Sequence, residues 1–328
     1  MVYQIDAHDA PTAYHESLYL VKVAGALDHT RNGGAIALQA PFVLSIRHPE
    51  YRVIRCPVRN ANPFFHVMET VWMLAGQRHT AWIEKFNSRI GSFADDGIMH
   101  GAYGYRWLQM WGNQIRQVYR TLRKDPASRQ CVISMWDPMS DNYPHWKDRP
   151  CNTHIYFRVR EGLLDMSVCN RSNDLVWGMF GSNIVHMTYL QEFIAVAAGL
   201  ELGHYHVFTN NLHIYTDRYP NGKDIRENLV EGPNPYAERY GGYETFPILH
   251  HADAAESFLR DCEYFITSKW DKIGSPWLLQ VAKPMHDAYL AQTYEGRMAH
   301  ASLIEAKDWR TNCEEWLRRK YGKDSSRS

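Results

Sequence analysis

The sequence predicts an α+β fold, in which a mixed β-sheet is packed with helices in layers. Short segments rich in apolar residues predict strands, and longer segments with apolar residues at helical spacing predict helices. The two kinds of segment are interleaved along the chain, as in layered α/β and α+β folds. The chain has 328 residues, which is enough to bury a substantial core, and we interpret residues 1–328 as a single domain.

The first element that bears on function is a helix predicted to begin at Pro63. Asn62 precedes this proline, apolar residues follow at helical spacing, and Gly76 ends the pattern. Glu69 lies on the same stripe as the apolar residues. Its carboxylate is therefore expected to face inward, where a carboxylate can relay protons. The alternative is a glutamate that reaches past its neighbours to solvent.

The central part of the chain alternates strands with a long helix. The sequence predicts strands over residues 131–136, 153–158, 163–168 and 204–208. Glu161 and Gly162 predict a hairpin turn between the second and third of these strands. Residues 184–200 are apolar at helical spacing, and this helix is predicted to end near Gly203.

The sequence changes character after Tyr215. Turn-forming pairs such as Gly232-Pro233 indicate a loop-rich connection. Beyond about residue 246 the chain is again predicted to be helical, and it contains Trp309, Cys313 and Trp316 at helical spacing. We therefore expect residues 216–328 to form a loop and a helical C-terminal part.

Composition excludes several classes of function. Lysine plus arginine and aspartate plus glutamate number 36 each, so no net charge favours a nucleic acid polymer as partner. The sequence contains no apolar run long enough to span a membrane and no secretion signal at its start, which predicts a cytoplasmic protein. The six cysteines lack CxxC spacing, which favours reduced thiols, one of which can be a nucleophile: Cys56, Cys131, Cys151, Cys169, Cys262 and Cys313.

The segment 150–215 combines the groups needed to modify a nucleotide. It offers a nucleophile, an anion clamp, an amide that can pair with the edge of a heterocycle and two groups that can hold a sugar hydroxyl. In that order these are Cys151, Arg171 with Ser172, Asn183, and His213 with Tyr215. Arginine presents a planar fork matched to phosphate oxygens, and residues two apart on a strand share one face.

Each of these residues has an ordinary alternative role. A cysteine taken alone is usually a small buried hydrophobe, and a lone arginine is usually a surface residue or ion pair. Asn183 can be a simple helix N-cap. His213 and Tyr215 can be core residues whose polar atoms are satisfied.

The order and spacing of these residues resemble the thymidylate synthase family, which includes the deoxycytidylate, deoxyuridylate and cytidylate hydroxymethylases. Upstream, Glu69-x-x-Trp72-x-x-x-Gly76 resembles the catalytic-glutamate helix of that family, and Tyr103-Gly104 resembles its Tyr-Gly loop.

Residues 125–129 and the strand 131–136 resemble the family's phosphate-arginine turn and the strand after it. The resemblance covers residues from about 31 to 215, roughly two thirds of the chain.

This resemblance implies a thymidylate synthase-like fold that dimerises through its sheet. It also implies one-carbon transfer from the cosubstrate 5,10-methylenetetrahydrofolate to C5 of a pyrimidine nucleoside 5′-monophosphate. The thiolate of Cys151 would add to C6 of the base, which makes C5 a carbon nucleophile. The resemblance assigns catalysis to Cys151, Glu69, Tyr103 and Asn183, nucleotide binding to Arg31, Arg129, Asn170, Arg171, Ser172, His213 and Tyr215, and folate binding to Asp174 and Gly178. Arg129 is expected to act in trans, on the phosphate in the other subunit of a homodimer.

Two departures from the family pattern concern the nucleotide. Gln130 stands where a second arginine is usual, so one positive charge is missing from the phosphate site. Asn183 matches an amide that pairs with O4 and N3 of uracil, whereas cytosine-modifying members often have a carboxylate there. The asparagine therefore favours uracil, but Gly178 and Asn183 are five apart where the family usually spaces them by four, so cytosine also stays open. The sequence does not decide between ribose and deoxyribose.

Three other departures concern how the one-carbon unit is finished. The family's usual tryptophan is missing from residues 90–93, and Asn152 replaces a histidine beside the nucleophile. The chain ends in a polar tail instead of the short apolar tail that closes over folate. A wetter pocket lets water capture the exocyclic methylene before hydride transfer. We therefore predict hydroxymethylation first and methylation second, in a phage base-modification or nucleoside-antibiotic pathway.

Two hypotheses from other classes remain. A metal-dependent hydrolase would use ligands among His204, His206, His250 and His251, but no carboxylate at a fitting spacing completes the set. A non-catalytic nucleotide-binding regulator would keep Arg171 and His213 and would tolerate the loss of Cys151.

Overall fold

The computed structural model describes residues 1–30, 33–143, 146–216, 234–237 and 242–322. Among these residues the strands, numbered in chain order, are β1 (Tyr3–Ala7), β2 (Gly25–Thr30), β3 (Gly33–Leu38), β4 (Phe42–Ile46), β5 (Val132–Ser134), β6 (Asn152–Arg160), β7 (Leu163–Asn170), β8 (Asn173–Asp174), β9 (Glu201–Thr209) and β10 (Leu212–Tyr215).

The strands form two mixed sheets. The larger has six strands in the order β1-β4-β9-β7-β6-β5, and the smaller has four in the order β2-β3-β10-β8. In the larger sheet β1 pairs with β4 and β7 pairs with β9 in parallel, while the other pairs are antiparallel. The prediction of an α+β fold with a mixed sheet is confirmed.

The α-helices of the described residues pack on one face of the larger sheet and on each other. They are α1 (Ala10–Ala24), α2 (Pro63–Leu74), α3 (Tyr103–Leu108), α4 (Gln114–Lys124), α5 (Ile184–Ala198), α6 (Ala255–Ile266), α7 (Lys283–Leu290), α8 (Tyr294–Ala301) and α9 (Lys307–Tyr321). Every residue of α5 except Val196 is buried, as in a helix surrounded by other elements. Helix α2, which contains Glu69, packs directly against α5.

The two faces of the larger sheet differ. One face carries fully buried apolar residues such as Leu44, Ile155 and Met166 and forms the core beneath the helices. On the opposite face, Val132, Tyr156 and Phe208 are 38–45% exposed. Since side chains alternate between the faces of a strand, these three residues point away from the core that the same strands build.

The predicted helix at Pro63 is confirmed, with Asn62 as its N-cap. The Asn62 side-chain oxygen accepts hydrogen bonds from the backbone N–H groups of Phe64 and Phe65 at 3.1 and 3.2 Å. Gly76, at φ +65°, adopts the left-handed conformation that ends helices.

The predicted end of the second long helix is wrong by several residues. Helix α5 ends at Ala198, because Gly199 has φ +75° and turns the chain out of the helix. Gly203 lies inside β9 instead. A Cβ there would come within 2.5 Å of Asp165 Oδ1, so the glycine permits close approach of two strands.

The hairpin between β6 and β7 is confirmed. Glu161 and Gly162 have φ of +53° and +83°, the two left-handed residues of a two-residue hairpin turn. The neighbouring strand β5 is shorter than the predicted 131–136, whereas β6, β7 and β9 are longer than predicted.

The helices of the C-terminal part share a core with α2 and α5. Trp309 Nε1 donates a hydrogen bond to the Tyr189 hydroxyl at 2.9 Å, and the rings of Phe64 and Trp316 meet edge-on with centroids 5.7 Å apart. The helices after residue 246 therefore support α5 and also α2, which carries the candidate catalytic residue Glu69. Within the described ranges, no helix is long and apolar enough to cross a membrane.

Candidate active site

Cys151 lies immediately before β6, beside the side chain of Arg171. One terminal nitrogen of Arg171, Nη2, is 3.8 Å from the Cys151 Sγ. The same guanidinium donates hydrogen bonds to the carbonyls of Pro150 at 2.9 Å and Arg149 at 3.2 Å. Backbone acceptors therefore hold the positive charge next to the thiol, where it favours the thiolate. The predicted neighbourhood of Cys151 and Arg171 is present.

A cavity of about 330 Å³ lies next to this pair. It is lined by Trp136, Asp141, Asn142, Arg149 and Arg171, and the Arg171 guanidinium lies 5.7 Å from the centroid of the Trp136 ring. The Arg149 Nε is buried and has no hydrogen-bond partner among the described residues. Two arginines in one cavity with an unused donor form a site suited to an anion such as phosphate.

Tyr103 contacts the backbone of Cys151. Its hydroxyl oxygen accepts a hydrogen bond from the backbone N–H of Cys151 at 3.3 Å. Burial, and next the nearby Cys151, raise the pKa of Tyr103 well above its usual value, so the phenol keeps its proton. A Cβ on Gly104 would lie 2.0 Å from the Met73 carbonyl oxygen, so the glycine allows α3 to pack against the end of α2. The Tyr-Gly pair thereby places the phenol near the Glu69 helix.

Asp148 is a partly buried acid near Cys151. Its Oδ2 accepts a hydrogen bond from the Gly101 backbone N–H at 2.8 Å. Burial raises the pKa of Asp148 to about 6, although the hydrogen bond and the nearby Arg106 and Arg171 act in the opposite direction. This carboxyl therefore titrates close to neutral pH.

Glu69 faces inward from α2, as predicted. Its side chain is 12% exposed, and its Oε2 lies 3.5 Å from Nδ1 of His186 on α5. The ring of His186 also meets the ring of Tyr103 edge-on, with centroids 5.7 Å apart. Tyr103 therefore links the thiol end of the site, defined by Cys151 and Arg171, with the carboxylate end, defined by Glu69 and His186.

Asn183 and Gly178 lie in a π-helical segment, Leu175–Asn183, which leads directly into α5. A π-helical turn takes up one residue more than an α-helical turn, so this segment accommodates the extra residue between Gly178 and Asn183. Its backbone breaks at Gly181. Asn183 makes no capping bond to α5, and its Nδ2 donates to Asn173 Oδ1 at 3.4 Å. The simple N-cap interpretation of Asn183 is therefore wrong.

Asp174 caps that π-helical segment. Its Oδ1 accepts hydrogen bonds from the backbone N–H groups of Val176 at 2.9 Å and Trp177 at 3.3 Å. In the smaller sheet Asp174 lies in register with His213 of β10. The rings of His213 and Tyr215 meet edge-on with centroids 4.8 Å apart, so the predicted shared face of these two residues is present.

Three of the remaining predicted residues lie in described parts of the chain. Asn170 is buried at the end of β7, and its Nδ2 donates to the Phe208 carbonyl at 3.4 Å. Ser172 lies between β7 and β8. Arg129 is exposed in the turn before β5. Arg31 lies outside the described residues.

The histidines proposed as metal ligands do not form one group. Ligand atoms of His204 and His206 lie within 4.8 Å of each other and of a carboxylate oxygen of Asp165. The expectation that no carboxylate completes the pair was therefore wrong, because β7 and β9 are neighbours in the sheet. However, Asp165 already pairs with Arg160 and accepts a hydrogen bond from the His204 backbone N–H at 2.8 Å. These contacts account for the buried carboxylate without a metal.

Sequence reasoning missed three residues of this site: Arg149, Asp148 and His186. Arg149 is two residues before Cys151, the candidate nucleophile, which was a usable signal for a second cation. His186 follows Asn183 by three residues, so a helix places the two on neighbouring positions of one face. For Asp148 the sequence alone carried no such signal.

The central part of the chain is similar in sequence to a known protein family. The sequence model for thymidylate synthase matches residues 56–238. The matched region includes all the candidate site residues except Arg31.

Curated relatives match over a longer part of the chain. A deoxyuridylate hydroxymethyltransferase of Pseudomonas phage M6 is 34% identical, over 96% of this chain and 94% of its own length. The protein of the same name from Bacillus phage SP01 is also 34% identical, over 79% of this chain and 71% of its own length. That of Delftia phage PhiW-14 is 32% identical, over 62% and 59%.

Proposed function

Because the chain belongs to the thymidylate synthase family, we propose that it is a folate-dependent enzyme that hydroxymethylates C5 of dUMP through a covalent adduct on Cys151. The observation that carries this proposal is the Cys151–Arg171 pair, with 3.8 Å between Sγ and Nη2. The pair occurs in a chain that aligns over nearly its full length with a deoxyuridylate hydroxymethyltransferase.

The thiol end supplies the nucleophile and the seat for the nucleotide. The Cys151 thiolate adds to C6 of the pyrimidine and leaves again after C5 has been modified. Arg171 favours the thiolate, and the cavity that Arg149 and Arg171 line takes the 5′-phosphate. The seat for phosphate therefore adjoins the thiol, as an attack on the base of the same nucleotide requires.

The carboxylate end binds the edge of the base and exchanges protons with it. Asn183 offers one donor and one acceptor, which match O4 and N3–H of uracil. Glu69 passes protons to and from this edge, and Tyr103, which keeps its proton, assists removal of the C5 proton. His213 and Tyr215, whose rings touch, hold the sugar hydroxyl.

The residues around Gly178 fit a folate ring. A Cβ at Gly178 would lie 2.8 Å from Asn173 Oδ1, 3.7 Å from Asn183 Nδ2 and 3.8 Å from Asp174 Cβ, so the glycine leaves an open cradle among polar groups. Asp174 and Gly178 would hold the pterin there. When bound, 5,10-methylenetetrahydrofolate supplies a one-carbon unit at the oxidation level of formaldehyde.

Water completes the reaction in this proposal. Addition of water at the new carbon gives a hydroxymethyl group and tetrahydrofolate, whereas hydride transfer would give a methyl group and dihydrofolate. The missing tryptophan in residues 90–93 favours a site that admits water. The names of the phage relatives support the same product.

We also propose that two copies pair through the outer face of the larger sheet. That face presents the exposed side chains of Val132, Tyr156 and Phe208, and exposed apolar patches commonly mark interfaces. The Cys131 carbonyl accepts from the Phe157 backbone N–H at 3.2 Å, six residues along β6 from Cys151. At ~3.3 Å per residue, the Arg129 turn lies roughly 20 Å from the nucleophile of its own chain. This separation supports a role for Arg129 in the other subunit's site.

The relatives named above come from phages. Their source supports a phage-encoded enzyme that acts on nucleotides in the cytoplasm of its host.

A substrate panel tests the proposed function. The protein is incubated with 5,10-methylenetetrahydrofolate and dUMP, dCMP, UMP or CMP, and the nucleotides are weighed by mass spectrometry. We expect a gain of CH2O on dUMP, none with Cys151→Ala, and an unchanged yield with Cys169→Ala. Cys169 is a matched control because it is also half-buried and burial raises its pKa. Preferential modification of dCMP, or equal activity of Cys151→Ala, would refute the proposal.

A further inference from the structure

His186 is a buried histidine at the centre of the site. It is 1% exposed. Its ring meets the rings of Tyr103 and Trp107 edge-on, with centroids 5.7 and 6.2 Å apart. Neither ring nitrogen has a hydrogen-bond partner among the described residues, and neither has Glu69 Oε2, which lies 3.5 Å from His186 Nδ1.

Unpaired groups of this kind are uncommon in protein interiors. The large majority of buried polar side-chain atoms are hydrogen-bonded, and each that is not costs about 1–3 kcal/mol. Here an unpaired carboxylate oxygen and an unpaired imidazole nitrogen face each other. Their 3.5 Å separation exceeds a hydrogen bond of ~2.7–3.2 Å by only a few tenths of an ångström. A small rotation of either side chain therefore satisfies both.

The other titratable groups near His186 do not compete with Glu69 as its hydrogen-bond partner. On α2, burial and the nearby Arg59 and His186 hold the pKa of His66 well below its usual value, so His66 stays neutral. On α3, Tyr103 stays protonated because burial raises its pKa. Glu69 is thus the group that approaches His186 with an acceptor atom.

We propose that His186 is a positioning residue that donates its Nδ1–H to Glu69 Oε2 and aims the other carboxylate oxygen at the bound base. This inference rests on the proposed function, in which Glu69 exchanges protons with the base edge. The hydrogen bond would fix the orientation of the carboxylate, whose other oxygen then exchanges protons with the base edge. His186 itself does not touch the substrate.

Substitutions that move or remove the donor test this role. His186→Asn keeps an N–H donor near the position of Nδ1, His186→Gln moves it toward Nε2, and His186→Leu removes it. Thr188→Val is the matched control, because Thr188 is fully buried on α5 and its hydroxyl bonds to the Ile184 carbonyl of its own helix. Circular dichroism and thermal melts identify any variant that fails to fold.

The readouts are kcat/KM for tritium release from C5-labelled dUMP across pH, and Kd for dUMP. We expect roughly a tenfold to hundredfold loss of kcat/KM in His186→Leu, since one lost partner costs about that much, with Kd within about threefold. The acidic limb of its pH profile should move to higher pH, because the Glu69 carboxylate loses its donor. His186→Asn should recover most of the rate and His186→Gln should not. A pH profile for His186→Leu that coincides with those of wild type and Thr188→Val would overturn the inference.

A second measurement does not depend on activity. The ¹⁵N shifts of the His186 ring in the unliganded wild-type protein should show a neutral imidazole with its proton on Nδ1. A proton on Nε2 alone would overturn the inference even if the enzyme hydroxymethylates dUMP. Conversely, a wild-type protein with the expected ring state but no release of tritium would refute the proposed function and leave the Glu69–His186 contact standing.

Discussion

The two ends of the site are held in different ways. At the thiol end the backbone fixes the key side chains: Arg171 donates to two main-chain carbonyls, and Tyr103 accepts from the Cys151 N–H. At the carboxylate end, helix packing positions the pair of Glu69 and His186, whose facing polar atoms have no hydrogen-bond partner in the part of the chain that the structure describes.

This difference indicates a division of labour. The main-chain partners of these contacts survive most side-chain substitutions, so in the proposed function the thiol end is a fixed electrostatic frame for covalent attack. The carboxylate end keeps free donors and acceptors, which suits groups that gain and lose protons during turnover. Substitutions at the thiol end should therefore remove chemistry at little cost in structure, and those at the carboxylate end should shift selectivity or pH dependence.

The largest effect is expected from Cys151→Ala. This variant should abolish release of tritium from C5-labelled dUMP while nucleotide Kd stays within about tenfold, because the thiolate supplies covalent activation and little ground-state affinity. Undiminished release in the variant would show that the thiol end does not have the role assigned to it.

Mixing two inactive variants tests whether the thiol end is complete in one chain. If Arg129 serves the other subunit, Cys151→Ala and Arg129→Ala subunits form hybrid dimers in which one site carries neither change. Random exchange should then restore about a quarter of wild-type activity. No recovery, with subunit exchange confirmed by labelled chains, would place Arg129 in its own site or outside any site.

A change of selectivity is expected at the carboxylate end. In Asn183→Asp, a protonated carboxyl can donate to N3 of cytosine while its other oxygen accepts from the 4-amino group. Unpaired polar groups at a buried edge cost on the order of 1–3 kcal/mol, so the ratio of kcat/KM for dCMP over dUMP should rise roughly tenfold or more. An unchanged ratio would mean that the π-helical segment has moved base recognition to another residue.

The smallest effect is one of stability, at Asp148. Burial raises its pKa in the folded protein to about 6, from an ordinary 3.8. A raised folded pKa means that its contribution to stability is fully present below about pH 4 and is lost as pH rises through about 6.

Asp148→Asn removes this loss and keeps an oxygen for the Gly101 N–H. At pH 8 the variant should be more stable than wild type by up to roughly 3 kcal/mol, and by much less at pH 4.5. Urea unfolding of both proteins at the two pH values measures the difference. A difference that does not change with pH would contradict the buried, titrating carboxyl.

The sequence predicted much of the thiol end, for a physical reason. Cys151 and Arg171 are brought together by the start of one strand and the end of its hairpin partner, and Glu161-Gly162 fixes that register. The helix that carries Glu69 was also predictable, because Asn62, Pro63 and Gly76 define its ends.

Other features could not be obtained from local patterns. His186 looks like one more buried position on an apolar helix, and only the packing of α2 against α5 brings it to Glu69. The extra residue between Gly178 and Asn183 indicated an irregular helix. That the irregularity is a π-helical turn depends on the packing around α5. Gly203 was assigned to a helix end because the sequence does not show that Asp165 would lie beside it.

The most direct test of the central claim is the mass of the nucleotide formed from dUMP and 5,10-methylenetetrahydrofolate in H₂¹⁸O. We expect a product that has gained a hydroxymethyl group with the heavy oxygen, together with stoichiometric tetrahydrofolate, because water ends the reaction. A methylated nucleotide without the label, formed with stoichiometric dihydrofolate, would contradict the account and identify the activity as reductive methylation.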